Sequence, residues 1–104
     1  MMDVFLGLPS LILDIDTVRR EMYGKAGAFR FKDYGCEYRV LSNFWIATET
    51  LIIWAFNNSV KATEEVLNNN FVDVDDYENI QQAINEGNVN LAKELIEKYN
   101  VPMP

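Results

Sequence analysis

The sequence predicts a mainly helical α+β domain: an N-terminal helix, one β-hairpin at about residues 28–41, then four helices arranged as two helical hairpins. Three observations carry that expectation. Apolar residues near the N-terminus recur at helical spacing, a short stretch after them alternates with period two, and the second half holds two helix-pair patterns that partly superimpose. With 104 residues, 49% of them apolar and including 6 Phe, 5 Tyr and 2 Trp, residues 1–104 have the length and the core material of a single domain.

The first helix is read from "PSLILDIDTVRREMYGKAG". Pro9 and Ser10 suit a helix entry, Asp14 and Asp16 offer a second cap, and Gly24 and Gly27 supply stop signals. Leu11, Ile15, Val18 and Met22 follow one another at helical spacing and predict one apolar face. "AFRFKDYGCEYRVL" changes period. Phe29 and Phe31 alternate with Arg30 and Lys32, and beyond Asp33-Tyr34-Gly35, Tyr38 and Val40 alternate with Glu37 and Arg39. That is a hairpin pattern with Phe29 and Phe31 buried on one face. A two-stranded hairpin is marginal in water, so this one must lie on a helix or pair at an edge.

"SNFWIATETLIIWAFNN" has many β-branched residues, which favour a strand, but its length and a cap at Ser42 or Asn43 favour a largely buried helix. "VKATEEVLNNN" reads as a shorter helix with Ala62, Val66 and Leu67 inward. "DDYENIQQAINEG" opens on Asp75 with Glu78 three residues on, the spacing of a capping box, and closes on Gly87 at a left-handed C-cap. In "NVNLAKELIEKYN" the stripe is Leu91, Ala92, Leu95, Ile96 and Tyr99.

Residues 52–59 and 60–72 superimpose on 80–87 and 89–101, with identities that include Ile52/Ile80, Ala55/Ala83 and Val60/Val89. "QAINEGNVNLAKELIEKYNVP" resembles the helix–turn–helix of an ankyrin repeat, with Ala83, Gly87, Val89, Lys93, Leu95 and Ile96 at matching positions. The Thr-Pro-Leu-His run of that family is missing, Ser59 stands where the other copy has Gly87, and the spacing falls short of the roughly 33 residues of ankyrin repeats. The resemblance implies a protein-binding scaffold.

Absent residue types exclude much chemistry. There is no histidine, so His-dependent nucleophiles and most zinc sites are ruled out. The single Cys36 excludes thiolate clusters and intramolecular disulfides. "DVDDYE" fails as a calcium loop, because the positions that need Gly and Glu hold Glu78 and Ile84. No cofactor, metal or catalytic group is expected, and the protein is expected not to be an enzyme.

The formal net charge is −7, and its three blocks read −3 over residues 1–18, +3 over 19–39 and −7 over 40–104. The best membrane candidate, Phe44 to Phe56, is interrupted by Thr48, Glu49 and Thr50, and the start lacks a basic leader, so a cytoplasmic protein is expected. The acidic half predicts a protein-interaction module, of the kind of small acidic inhibitors encoded by phages and mobile elements. Its partner would be a protein with a basic cleft, met by Glu64, Glu65, Asp73, Asp75, Asp76, Glu78, Glu86 and Glu94. Trp45, Trp54 and Tyr77 are candidate anchors, and a homodimer would cover the hairpin edge. The alternative is single-stranded nucleic acid on the basic, aromatic hairpin through Arg30, Lys32, Tyr38 and Arg39, disfavoured by the overall charge.

Overall fold

Pro9 shapes the start of the chain in the computed structural model, which describes residues 1–16 and 18–104. Its nitrogen has no hydrogen to give a carbonyl one turn back. The chain winds loosely as a π-helical segment, Asp3–Gly7, and tightens into helix α1, Leu8–Leu13. The Phe5 carbonyl accepts a hydrogen bond from the buried Asn58 side chain at 2.8 Å.

Helix α1 stops at Asp14, whose side chain accepts the Asp16 N–H at 3.0 Å and the Ser42 hydroxyl at 2.6 Å. A short acidic side chain bonded to nearby backbone competes with helix continuation. Helix α2, Val18–Met22, starts again in a different phase. The single apolar face expected across this region is therefore corrected: Ile15, Val18 and Met22 are 96%, 66% and 71% exposed, and Arg20 is the residue turned inward, at 9%.

Strands β1, Phe29–Lys32, and β2, Gly35–Tyr38, form the expected antiparallel hairpin around Asp33 and Tyr34, with Phe29 opposite Tyr38 and Arg30 opposite Glu37. Phe29 and Phe31 are not buried. They stand 54% and 78% exposed and pack edge-to-face on each other, with ring centres 5.1 Å apart. The hairpin docks instead through Tyr38, whose hydroxyl donates to Asp3 Oδ1 at 2.6 Å.

After a 3₁₀ turn at Phe44–Ile46, helix α3 runs from Glu49 to Leu67 without a break, capped by Thr48 Oγ1 at 3.2 Å from the Leu51 N–H. The stretch expected as the first helical hairpin is thus one helix that starts later than expected. Ser59 explains the continuity. Unlike Gly it does not take a left-handed turn cheaply, and its hydroxyl bonds back to the Ala55 carbonyl at 2.7 Å. Val66 and Leu67, expected inward, are 45% and 75% exposed, whereas Ala62 is buried.

Helices α4, Asp76–Glu86, and α5, Val89–Lys98, make the second hairpin as expected, with Gly87 left-handed at φ 66° between them. Asp75 makes no capping bond. At the start of α5, Asn88 Oδ1 accepts the Leu91 N–H at 3.1 Å. The core centres on the N-terminal helix: Val4, Phe5 and Leu8 pack with Ala62 of α3, Ile80, Ala83 and Ile84 of α4, and Ala92, Leu95 and Ile96 of α5. Trp54 is buried in a smaller cluster with Leu6 and Ala55, and Trp45 packs against it. Among the described residues, no helix is long and apolar enough to cross a membrane.

Candidate functional site

Each sequence-predicted site has a definite place in this fold. Of the acidic residues, Asp76 is buried and accepts Lys98 Nζ at 2.6 Å and the Tyr99 hydroxyl. Asp73 pairs with the same Lys98 at 3.0 Å, and Glu65 pairs with Lys61 at 2.9 Å. Glu64, Asp75, Glu78 and Glu94 are exposed. Glu86 lies at the opposite end of α4 from Asp76, roughly 15 Å away at the helical rise per residue. Asp73 and Asp76 are thus tied to Lys98 of α5, and Glu86 lines a cleft at the other end of α4.

The basic hairpin residues are answered locally. Glu37 lies 3.0 Å from Arg30, 3.6 Å from Lys32 and 4.0 Å from Arg39, and the hydrogen bond from Arg30 is the main cause holding its carboxyl below the usual range. An acid of the hairpin itself, Glu37, thus balances its bases. Tyr38 is turned into the protein, where burial first and the Asp3 charge second push its hydroxyl far above the usual range, so it is a neutral donor.

The chemically distinctive place is a cleft of about 360 Å³ where the break between α1 and α2 faces the turn between α4 and α5. Leu11 and Val89 form its apolar wall. Asp14, Asp16 and Glu21 line one side, Asn85, Glu86 and Gly87 the other, and Arg20 and Lys25 supply the positive charges. The loop between α2 and β1 is clipped to the end of α4: the Ala26 N–H donates to Asn85 Oδ1 at 2.8 Å, and Lys25 Nζ donates to the Asn85 carbonyl at 3.3 Å. A lysine on a last-turn carbonyl also suits the negative end of the helix dipole.

Arg20 is the unusual member. One end of its guanidinium donates from Nη2 to Ser10 Oγ at 3.1 Å, and that hydroxyl in turn donates to the Gly7 carbonyl at 2.6 Å. Nη1 is enclosed and has no hydrogen-bond partner. Burial lowers the guanidinium's pKa and the nearby Asp14 charge opposes the shift, but the group keeps its proton at neutral pH. A buried cationic donor without an acceptor is costly. What it lacks is one acceptor at Nη1, since Nη2 already has Ser10. Sequence reasoning counted Arg20 only as part of the basic block. The signal available was Asp14-x-Asp16, a helix-breaking pair that shifts the register of helix α2.

A second hollow, about 420 Å³, lies between the N-terminal helix and α3 and is mainly apolar, with Met2, Leu6, Leu41, Trp45 and Phe56 in its walls. It offers surface but no group able to take part in chemistry beyond Ser59 and the buried Tyr38 hydroxyl. Among the described residues, no group of His, Cys, Asp and Glu is arranged to hold a metal ion.

A family model described as "Phage phiEco32-like COOH.NH2 ligase-type 2" matches residues 1–102. No curated protein and no solved structure matches the chain. The family match overturns two expectations from the sequence, that the protein is a non-enzymatic acidic interaction module or inhibitor and that it is not an enzyme. The first rested on the acidic charge and the second on the missing histidine, but joining an activated carboxylate to an amine does not require a histidine.

Proposed function

The chain belongs to the phage phiEco32-like COOH.NH2 ligase-type 2 family, and on that premise we propose that it takes part in forming an amide bond between a carboxylate and an amine, with the cleft beside Arg20 as its substrate site. The observation that carries this reading is a cleft in which the Arg20 guanidinium and the Lys25 ammonium stand among the exposed carboxylates of Glu21 and Glu86. The positive charge of Lys25 and Arg20 attracts a substrate carboxylate. Glu21 and Glu86 are exposed at the rim, where a carboxylate can hold an ammonium and take its proton as the nitrogen attacks.

Carboxylates do not condense with amines unaided in water, so the acid must first be activated, for which a nucleoside triphosphate is the co-substrate to supply. The test is to incubate the protein with a nucleoside triphosphate, magnesium and the twenty standard amino acids, following new amides by mass spectrometry and phosphate by colorimetry. Amide formation with stoichiometric phosphate, reduced at least tenfold in Arg20→Gln, is the expected result. Neither product above the protein-free blank would overturn the reading.

A further inference from the structure

Helix α3 carries an apolar seam on the side away from the core. Its buried face is Trp54, Ala55, Asn58 and Ala62. Opposite them, Ile53, Phe56, Val60, Thr63 and Leu67 follow one another at spacings of three, four, three and four residues. That is the period of about 3.5 residues by which one helix packs along another. Ile53, Phe56, Val60 and Leu67 are between 40% and 75% exposed, and the exposed Ile52 flanks them. Single exposed apolar residues are ordinary, whereas a contiguous run along one helix marks a contact surface. We propose that a second copy of this chain covers the seam, the two α3 helices packing antiparallel about a two-fold axis near Val60.

The strip matches its own reverse. With Val60 at the axis, Ile53 of one copy lies over Leu67 of the other, and Phe56 over Thr63, a large side chain against a small one. At the margin Asn57 comes beside Glu64, an amide donor beside a carboxylate. Self-complementarity of this kind is what a two-fold interface requires. Parallel helices would instead stack Phe56 on Phe56, bring the two Glu49 carboxylates together and align the helix dipoles.

The area suits a dimer. The seam is about 21 Å long at the helical rise per residue. At roughly 175 Å² for a whole large apolar residue, Ile52, Ile53, Phe56, Val60 and Leu67 hold about 500 Å² open to solvent. The strip continues into the apolar hollow between the N-terminal helix and α3, which has Ile52 and Phe56 in one wall and adds Met2, Leu41 and Trp45. Together they reach the scale of the about 800 Å² that each partner buries in a stable complex. A lipid surface is another cover that an apolar helix face admits, but a net charge of −7 opposes it on anionic leaflets.

The test is sedimentation equilibrium of the natural chain over a concentration series, beside variants on the seam. A reversible dimer is expected. Val60→Arg, an exposed change at the axis, should weaken it about a hundredfold, with the helical circular dichroism retained. Ile53→Glu and Leu67→Lys should each weaken self-association, and an equimolar mixture of the two should form a heterodimer, because antiparallel packing sets the new carboxylate against the new ammonium. A chain that stays monomeric at every concentration overturns the proposal, whether or not it captures another protein or floats with lipid vesicles. Assembly beyond the dimer overturns it, and so does a dimer indifferent to Val60→Arg. A mixture that stays monomeric overturns the antiparallel order.

Discussion

At the scale of single residues, Asn58 and Arg20 are two buried polar side chains with opposite accounts. Both hydrogens of the Asn58 amide are used, one on the Phe5 carbonyl at 2.8 Å and one on the Pro102 carbonyl at 2.9 Å. Asn58→Ala removes this donor from the Phe5 carbonyl, while the Pro102 carbonyl keeps Trp54 Nε1, and a buried unsatisfied group costs about 1–3 kcal/mol. A loss of about 1–3 kcal/mol is expected, read as a lowered urea midpoint with an unchanged slope. Arg20 keeps one nitrogen without an acceptor, at a cost in stability. Neither role was legible in the sequence. Asn58 sits in an ordinary-looking helix, and its partners are 53 and 44 residues away. Arg20 was hidden by an apolar spacing that reads as one helix until Asp14 breaks it.

At the scale of elements, the contrast between Ser59 and Gly87 decides how many helices there are. The two stretches superimpose in sequence, but only the one with Gly turns. Gly87 lies at φ 66° with open space where a Cβ would go, so Gly87→Ala should cost about 1 kcal/mol through backbone strain alone. For a domain of this size that lowers the melting temperature by about 4–8 °C. Gly24→Ala should cost more, because a Cβ there would lie 2.6 Å from the Val40 carbonyl oxygen as well as at φ 72°. Thermal melts of the two variants side by side check the order. Ser59→Gly should weaken α3 by up to about 1 kcal/mol without creating a turn, since Ala62 still has to reach the core on the same face. The hairpin and the α4–α5 pair were legible because turn residues and period announce them locally. The burial of the hairpin was not, because its docking partner, Asp3, lies 35 residues from Tyr38.

At the scale of the whole molecule, the ion pair between Asp76 and Lys98 sets the response to pH. Lys98 first and Tyr99 second hold the Asp76 carboxyl below its usual range, and Asp76 raises Lys98 in turn. A depressed carboxyl contributes stability above its ordinary value of about 4 that is lost as pH falls through the folded-state value. A raised lysine contributes stability below about 10.4 that is lost as pH rises through its folded-state value. The pair therefore stabilises the α4–α5 hairpin between about pH 4 and 10. Urea midpoints taken at pH 6 and pH 3 should fall for the natural protein and fall distinctly less for Asp76→Asn. An equal fall in both would show that the acid sensitivity comes from elsewhere, the net charge of −7 being the next source to examine.

The junction of Asn58, Trp54 and the Pro102 carbonyl also puts the closing of α3 on a timetable. Trp54 Nε1 and Asn58 Nδ2 both donate to that one oxygen, at 2.9 Å each. Ribosomes add about 5–20 residues per second, so α3 waits some seconds for residue 102 and longer for it to clear the exit tunnel. Until then the indole nitrogen and the amide are hydrated, and the buried face of α3 is open to chaperones. The domain closes only once residue 102 has left the tunnel, and Trp54 fluorescence on arrested nascent chains of increasing length would register the moment as a single step.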